Sequence, residues 1–483
     1  MLLMALLLAQ ENIVDRHLGD AAPAEDHVFL RRASLDIAGE LPDPDAVRAF
    51  LADASADKRA RRVDELAASE AFAKFWARRL TAAWIGYPTG DLQLLVDHEG
   101  FEKWLRERLA ANASYEEAAR EALTASGLTQ NRPEASFVNQ FAYANDQGEY
   151  GVRIDDLTAK VGSTFLGYRL RCAQCHDHPF DRWTQEDFYG LAAFFRRTGI
   201  SRAGLGVTDK PKAVTYAFES WKGPLEPRYL DGGKPEGDAL RADLARLMAK
   251  DRQFARAFVN RAWAWFFGRG LVDPYDDFAA RRRGSPLLED LAGDFERGGY
   301  DLRRLAREIA RSRAYQGRGA ALRPLAPEQL YGAIASATLL EEARVDARDV
   351  KRLAGPVEPY KPPRVRLRAW FVAMIARTSE AGSPAALHTY TANTQQVLRT
   401  LSPASLIYTG ARAKGEGRLD RAMAGREPDG VVRELYLAAL SRPPSERETA
   451  RALARAGAKD GAPEAFERIF WALLNCDEFI FNH

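Results

Sequence analysis

The sequence of 483 residues contains only three cysteines, too few for a framework of disulfide bonds. It has no apolar run close to the roughly 18 residues that a membrane-spanning helix needs, so we expect no integral membrane span. Its charges almost cancel, because 69 basic and 67 acidic side chains leave a net charge of +2. Proteins that bind nucleic acids usually carry a basic excess on one face, and this balance argues against a nucleic-acid partner.

Several familiar signatures are also missing. The sequence has no GxGxxG, GxxxxGKS/T, GxSxG or HExxH pattern, which are typical of dinucleotide-binding proteins, P-loop proteins, serine hydrolases and zinc proteases. The composition, with 46% hydrophobic and 28% charged residues, is that of a soluble globular protein with buried cores. The function therefore has to be sought in other motifs.

The N-terminus, "MLLMALLLAQEN", resembles the apolar core of a secretory signal. The run Met1–Ala9 is short and no basic residue precedes it, so three interpretations stay open: a signal that begins upstream, a signal cleaved after Ala9, and the opening of a first helix. We assign residues 1–24 as a signal-like N-terminal segment. We expect export to the periplasm or another extracytoplasmic compartment.

Helical periodicity dominates the rest of the chain. Near the C-terminus, after Pro463, one apolar face repeats at positions i, i+3, i+4, i+7 and i+8. Its residues are Phe466, Ile469, Phe470, Leu473 and Leu474. The stretch "FARAFVNRAWAWFFGRG" is apolar over a wider surface, which predicts a helix buried on most sides and ended by Gly268. Two further helices are predicted after Asp43 and between Ser69 and Gly86.

These patterns predict a mainly α-helical protein of two domains. An N-terminal helical domain would occupy residues 25–200 and a C-terminal helical domain residues 238–483, joined by an irregular linker at 201–237 with minor β content. The linker contains "AVTYAFESW", which suits a short strand, and then a segment rich in proline and glycine. A second irregular stretch, residues 354–371, interrupts the C-terminal domain.

Residues 172–176 read Cys-Ala-Gln-Cys-His, the C-x-x-C-H pattern of c-type haem attachment. Two thiols at this spacing reach the two vinyl-derived carbons on one edge of a porphyrin, and the adjacent histidine then binds the iron as proximal ligand. We therefore predict Cys172, Cys175 and His176 as the residues that bind haem c. Covalent attachment happens outside the cytoplasm, in agreement with the signal-like N-terminus.

Two helices are expected to flank this motif. The first spans roughly residues 155–169, and the second starts at Thr184, where Asp187 completes a capping box. The sixth position of the iron is left undecided between an open site and four side chains that are distant in sequence. Those side chains are His98, His388, Met248 and Met374.

A bare metal ion is the main alternative to haem. Cys172, Cys175, His176 and His178 are four potential ligands for zinc or iron within seven residues, with His176 and His178 as the predicted metal ligands. So short a segment would be strained in surrounding one ion tetrahedrally, since structural zinc sites usually take a second pair of ligands from farther away. A third interpretation is a redox-active or structural disulfide between the first two cysteines, while Cys476 suits a small buried residue.

Carboxylates crowd the same segment, and general acid–base chemistry is one interpretation of them. They are Asp177, Asp181, Glu186 and Asp187. A helix cap at Asp187 and an orienting contact from Asp181 to a histidine or an arginine explain two of them better. The cluster Asp273, Asp276 and Asp277 likewise has the chemistry of a turn. No catalytic residue is assigned.

Longer stretches around these residues resemble a known family. "FLRRASLDIAGELPDPDAVRAFLAD" and "LRCAQCHDHPFDRWTQEDFYGLAAFF" look like the planctomycete-type cytochrome c domain of the second kind. "FARAFVNRAWAWFFGRGLVDPYDDF", "SRAYQ" and the ending "ALLNCDEFIFNH" are similar to its companion C-terminal domain. The resemblance implies that Cys172 and Cys175 attach haem and that His176 is the axial ligand. The family pattern continues through residues 178–180, beyond what attachment alone requires.

The sequence thus predicts an exported protein resembling a c-type cytochrome, with covalent haem c and electron transfer coupled to an extracytoplasmic oxidation. A redox partner protein would exchange the electrons, and a small molecule or a carbohydrate would be the substrate. Two alternatives remain: a metal-dependent enzyme, for example a hydrolase, that uses the cysteine–histidine cluster with zinc or iron, and a non-catalytic surface binding protein. Whether the protein is an enzyme stays open at this point.

Overall fold

The computed structural model describes residues 11–482 except for 88–95, 147, 202–205, 211–220, 222, 224–225, 279–283, 319–321, 456–462 and most of 340–416. Within these residues the protein is mainly helical with a few short strands, which confirms the predicted fold class. No helix in this part of the chain is both long and apolar enough to cross a membrane. Three predicted features fall wholly or mostly outside the described residues: the run Met1–Ala9, the strand within 213–221, and the stretch 354–371.

Helices make up most of the regular structure. The first 312 residues contain α1 (Ile13–Leu18), α2 (Asp26–Ala33), α3 (Pro44–Ala52), α4 (Lys58–Ala68), α5 (Glu70–Ile85), α6 (His98–Ala110), α7 (Tyr115–Thr124), α8 (Ser136–Asn139), α9 (Ile154–Val161), α10 (Gln185–Ala192), α11 (Leu240–Lys250), α12 (Arg252–Phe267), α13 (Pro286–Arg297) and α14 (Leu302–Ala310). They are followed by α15 (Arg313–Gln316), α16 (Pro327–Thr338), α17 (Arg418–Met423), α18 (Pro428–Leu440), α19 (Glu446–Arg455), α20 (Pro463–Leu474) and α21 (Asp477–Ile480).

The strands are short and pair in antiparallel fashion. They are β1 (Gly127–Leu128), β2 (Ala142–Ala144), β3 (Tyr150–Val152), β4 (Thr198–Ile200), β5 (Gly206–Asp209), β6 (Arg323–Pro324) and β7 (Phe481–Asn482). β5 lies between β1 and β4 in a three-stranded sheet, β2 pairs with β3, and β6 pairs with β7. Helical turns of other types complete the structure: π-helical at Ser34–Ala38 and Gly162–Leu166, and 3₁₀-helical at Pro133–Ala135, Leu170–Gln174 and Ala193–Phe195.

Local capping signals place several helix ends where the sequence predicts them. The Asp43 side chain accepts a hydrogen bond from the Asp45 amide at the start of α3. The Ser69 hydroxyl accepts one from the Phe72 amide at 3.1 Å at the start of α5. After α5, Gly86 adopts a left-handed conformation with φ of +73°. These contacts are local in sequence, and they confirm the predicted start of α3 and the predicted limits of α5.

The chain forms two compact units that each draw on separate parts of the sequence. The first unit comprises Met1–Leu18 and Trp76–Ser312, and the second comprises Gly19–Phe75 and Arg313–His483. The first unit therefore continues through residues 201–237 without a division there. The domains predicted from the sequence, with limits at 24, 200 and 237, are continuous segments of the chain, whereas the compact units are not. These predicted limits stay a prediction.

The core of the first unit is built around α12. Nearly all of its residues are buried, which confirms the predicted helix with a wide apolar surface, and Gly268 ends it in a left-handed conformation. The Phe258 ring lies 4.0 Å from the Tyr115 ring and 5.4 Å from the Phe295 ring, between centroids. Aromatic rings from α7, α12 and α13 thus form one continuous cluster, and such pairs stabilise beyond the area that they bury.

The core of the second unit contains a fully enclosed carboxylate. Asp36, in the π-helical turn Ser34–Ala38, has no exposed surface. It accepts hydrogen bonds from the Tyr315 hydroxyl at 2.8 Å, from the Gln329 amide at 2.9 Å and from the Asn482 amide at 2.9 Å. The Arg323 guanidinium donates to both of its oxygens. A buried charge needs such complete pairing, because desolvation without it costs several kcal/mol.

Buried arginines next to Asp36 bind backbone carbonyls in the same unit. Arg31, 1% exposed, donates to the Ala439 carbonyl at 3.0 Å and to the Phe479 carbonyl at 2.7 Å. Burial lowers the pKa of Arg31 to about 10, which still leaves it charged at neutral pH. The segment "RRASLD" is therefore a structural element that joins the N-terminal and C-terminal parts of the second unit.

The helix predicted near the C-terminus is also confirmed. α20 starts at Pro463 and buries four of the five predicted residues on one face, Phe466, Phe470, Leu473 and Leu474, while the fifth, Ile469, is half-buried. Phe470 has no exposed surface, whereas Trp471, the next residue, is 40% exposed. These two consecutive residues therefore lie on the buried side and the partly exposed side of the same helix.

Candidate functional site

The cysteine motif is held by the chain on both sides of it. α9 continues into the π-helical turn Gly162–Leu166, so the helical segment ends three residues before the predicted limit near residue 169. Gly167 then reverses the chain with φ of +64°, and a Cβ there would lie 2.7 Å from the Phe278 ring. Only glycine combines this conformation with so close a contact. The 3₁₀-helix Leu170–Gln174 follows and carries Cys172.

Gln174, in the middle of the motif, is the residue that both flanking helices bind. Its side-chain amide donates to the Asp155 carboxylate of α9 at 2.7 Å. Its backbone carbonyl accepts from the Gln185 side chain at 3.0 Å and from the Tyr189 hydroxyl at 3.1 Å, both on α10. Burial raises the pKa of Tyr189 to about 12, so this hydroxyl remains a donor at neutral pH. Hydrogen bonds therefore fix the motif between two helices, as predicted.

The two thiols of the motif face solvent. Ala173 points into the core with no exposed surface, while Cys172 and Cys175 are both exposed thiols. The structure thus places both cysteines of the motif at the surface. The third thiol, Cys476, is partly buried in the second unit, and burial raises its pKa.

The two histidines of the motif differ in their hydrogen bonds. His176 Nδ1 lies 2.7 Å from the Asp177 carbonyl oxygen. A carbonyl can only accept, so Nδ1 carries the proton in the neutral ring and Nε2 keeps a free lone pair. His178 Nδ1 instead accepts from the Phe180 amide at 3.2 Å, which places its proton on Nε2. Of the two rings, His176 is therefore the one prepared to bind a metal ion.

His178 stays a predicted metal ligand, but its position has a structural explanation. Its backbone amide donates to the Trp183 carbonyl at 2.8 Å, which closes the loop after the motif. Coordination by His178 would require loss of its hydrogen bond from Phe180 or of its Nε2 proton. Among the residues that the structure describes, no group of three or more histidine, cysteine, aspartate and glutamate side chains is arranged to hold a metal ion.

The carboxylates near the motif mostly have structural partners. Thr184 and Asp187 form the predicted capping box at the start of α10. Arg228 lies 3.3 Å from both Glu186 and Asp187. Asp177 accepts from the Gln185 amide at 2.8 Å, at the first position of α10. These contacts account for three carboxylates without an acid–base role.

The second carboxylate cluster is also occupied by structural contacts. Asp276 is 1% exposed and accepts from Arg169, three residues before Cys172, at 2.7 Å. The Asn260 side chain on α12 holds the same loop through both the amide and the carbonyl of Val272, at 2.9 and 2.8 Å. Arg169 and Asn260 escape a prediction from sequence because their partners lie 107 and 12 residues away.

The candidates for a sixth iron ligand are dispersed. His98 begins α6, and burial lowers its pKa, so the ring is neutral at neutral pH. Met248, on α11, is 1% exposed and packs in the core. His388 and Met374 lie outside the described residues. Neither described candidate thus lies on α9, α10 or the motif that they flank.

Two family models match the chain in succession. Residues 8–199 match PSCyt2, described as a protein of unknown function (DUF1549), and residues 240–345 match PSD1, a protein of unknown function (DUF1553). The chain belongs to the family that carries these two domains in this order. The PSCyt2 domain contains the entire cysteine motif, and the PSD1 domain contains α12. No curated protein and no solved structure gives a significant match.

The match confirms the resemblance to the planctomycete-type cytochrome c domain and its companion domain. The name PSCyt2 denotes a cytochrome-type domain, while the printed descriptions give both domains an unknown function. Asp36 and its donors Tyr315, Arg323 and Gln329 belong to these two different domains. The hydrogen-bonded cluster around Asp36 in the second unit therefore combines residues of the PSCyt2 and PSD1 domains.

Proposed function

We propose that the protein is an exported c-type cytochrome in which Cys172 and Cys175 form thioether bonds to haem c and His176 binds its iron. The observation that carries this proposal is the 2.7 Å hydrogen bond from His176 Nδ1 to the Asp177 carbonyl. Such a bond to the second ring nitrogen orients a ligating imidazole and makes it more basic. When bound, the haem would supply one-electron chemistry at its iron.

The residues around the motif fit a covalently held porphyrin. Both thiols are exposed, so the vinyl groups can reach them, and Gln174 is held rigidly between α9 and α10. Phe180, four residues after His176, is 88% exposed. An aromatic side chain so exposed is unusual in a folded protein, and a flat apolar macrocycle would cover it.

The wider role follows from the chemistry of attachment. Haem c is attached outside the cytoplasm, and the signal-like N-terminus supports export to the periplasm or another extracytoplasmic space. The exposed motif would leave one haem edge open to a redox partner protein. The electrons would come from an extracytoplasmic oxidation of a small molecule or a carbohydrate.

The first test measures covalent haem directly. The full chain is produced in a host that matures c-type cytochromes, and its intact mass is measured together with its absorption spectrum. We expect a mass increase of one haem for the natural chain and for Cys476→Ser, the matched control in the other unit. The double variant Cys172→Ser/Cys175→Ser should have the mass of the bare polypeptide. A natural chain without the added macrocycle would contradict the proposal.

A second measurement separates the two histidines. In protein that carries haem, His176→Ala should change the absorption and electron paramagnetic resonance spectra of the iron, because the proximal ligand is lost. His178→Ala should leave both spectra unchanged, since its ring nitrogen is engaged with the Phe180 amide. The reverse result would assign the iron to His178.

A further inference from the structure

A cavity of about 350 Å³ lies beside the loop that follows the cysteine motif. Its lining includes Tyr168, Arg182 and Trp183 from the motif side, Gln253 and Arg256 from α12, and Phe278. All of them belong to the first unit. The volume falls within the range of small-molecule sites, about 300–1,000 Å³. Nothing in the proposed haem attachment uses this cavity.

Aromatic rings and guanidinium groups alternate around the cavity. The rings of Tyr168 and Trp183 are 4.7 Å apart, between centroids. The Arg182 guanidinium lies 4.4 Å from the centroid of the Trp183 ring, and the Arg256 guanidinium lies 5.5 Å from that of Phe278. Stacking on a ring orients a guanidinium, and the edge of the Arg182 group is the one left available for a planar anion, because Arg256 is bound to Gln253 and Glu289.

The wall of the cavity contains a buried donor, the indole N–H of Trp183. Trp183 is 4% exposed, and its indole N–H makes no hydrogen bond within the described residues. Leaving such a group unsatisfied costs about 1–3 kcal/mol, so each case calls for an explanation. The neighbouring Gln253 differs, because its amide donates to the Leu166 carbonyl at 2.7 Å and its carbonyl accepts from Arg256 at 3.1 Å. An acceptor atom on a ligand would satisfy the indole.

The balance of charge and donors in the cavity favours an anion. Arg182 forms no ion pair with a described residue, whereas Arg256 pairs with Glu289, with Nε 2.9 Å from Oε1. Asp181 also lines the cavity, and its Oδ1 accepts from the Arg182 backbone amide at 2.7 Å. Burial raises the pKa of Tyr168 to about 12, so its hydroxyl is a further donor at neutral pH. Donors therefore outnumber acceptors.

We infer that this cavity binds a small organic acid whose carboxylate meets the Arg182 guanidinium and the Trp183 indole N–H. The rings of Tyr168, Trp183 and Phe278 pack against the body of the ligand. Both a planar aromatic body and a sugar ring can pack against such rings. The carboxylate is the shared chemistry, and the experiment distinguishes the two bodies.

The test uses two pairs of probes on the purified full chain. Benzoate is compared with benzamide, and glucuronate with glucose, so that each pair differs mainly in the negative charge. By isothermal titration calorimetry, at least one acid should bind with a dissociation constant of about 1 mM or lower, and at least about tenfold more tightly than its neutral counterpart. Which acid binds reveals the body of the ligand. Equal affinity within both pairs, or no binding of either acid, overturns the inference.

Two variants assign the binding to these residues. Arg182→Met removes the charge of an exposed side chain and should weaken binding of the acid about tenfold, which corresponds to about 1.4 kcal/mol. Arg120→Met, an exposed arginine on α7 away from the cavity, is the matched control and should bind as the natural chain does. Trp183→Phe keeps an aromatic ring without the N–H and should weaken the acid but not its neutral counterpart. Natural affinity in both Arg182→Met and Trp183→Phe overturns the inference.

The outcome is independent of the haem proposal. Binding is measured with protein made without haem maturation and again with protein that has passed through it. A carboxylate site in the first sample supports the inference even where intact mass finds no macrocycle. Conversely, covalent haem without selective binding of either acid would sustain the proposed function and overturn the cavity as a ligand site.

Discussion

At the scale of single residues, the most consequential side chain outside the motif is Asp36. Its carboxylate is enclosed and receives donors from four residues that lie at least 279 positions away in the sequence. Removing one partner of a buried ion pair is far more costly than removing both, because it leaves an uncompensated charge. The acid in "SLDIAGELP" is therefore structural, although an isolated aspartate in a family motif invites a catalytic interpretation.

Replacing this acid gives a direct test of that role. Asp36→Asn removes the counter-charge of the Arg323 guanidinium, whose side chain is only 14% exposed, and should lower the free energy of unfolding by about 3–5 kcal/mol. Urea denaturation followed by far-ultraviolet circular dichroism measures the change. Asp45→Asn is the matched control, since the Asp45 side chain is 91% exposed and should cost less than about 1 kcal/mol. A comparable loss in the two variants would refute the structural role.

The predictable part of the candidate site is the part that is local in sequence. The spacing of Cys172, Cys175 and His176 is visible in five consecutive letters, and the Thr184–Asp187 cap needs only four. The hydrogen bond from Arg169 to Asp276 and the burial of the Trp183 indole depend on how distant segments pack. No local pattern encodes those contacts, so sequence reasoning missed them.

At the scale of elements, α20 shows how one helix divides its residues between core and solvent. Phe470→Ala should lower the free energy of unfolding by about 3–5 kcal/mol, because it removes a fully buried ring and leaves a cavity. Trp471→Ala on the same helix removes a larger ring that is 40% exposed. It should cost less than half as much in the same denaturation experiment. Equal costs would mean that the apolar face of α20 is placed wrongly.

Helices were more predictable than the turns that join them to the site. Apolar periodicity together with Asp43, Ser69, Pro463 and Gly268 was enough to locate four helices, because caps and breakers act within one turn. The π-helical turn Gly162–Leu166 was not expected, and the helix before the motif therefore ends earlier than predicted. The helical segment ends at Gly167, which packs closely against Phe278, more than 100 residues later in the sequence.

At the scale of the whole molecule, the family domains and the compact units divide the chain at different places. The second unit combines Gly19–Phe75 with Arg313–His483, so the start of the PSCyt2 domain is completed by residues from the other end of the chain. In the first unit, Arg241 of the PSD1 domain donates to the Leu123 and Ala125 carbonyls of the PSCyt2 domain. Composition alone cannot reveal such pairing, because it carries no information on contacts between distant segments.

Separate expression of the two sequence domains tests this interdependence. A fragment of residues 11–237 lacks all four side chains that donate to Asp36, as well as the buried aromatic face of α12. We expect it to aggregate or to unfold without cooperativity in urea. Co-expression with residues 238–483 should restore a soluble complex, observed by size-exclusion chromatography. A fragment that is soluble alone and unfolds cooperatively would show that the PSCyt2 domain is self-sufficient.

The outward placement of Cys172 and Cys175 has a practical consequence for anyone preparing the polypeptide. Solvent-facing sulfur atoms three positions apart are open to oxidants, and once they are joined to each other they can no longer add to a vinyl group. Oxidation of the thiols during storage in air therefore competes with their addition to the vinyl groups of haem. A reductant should therefore be present in any reconstitution in vitro. Titration of free thiols over time would measure how fast they are lost to oxidation.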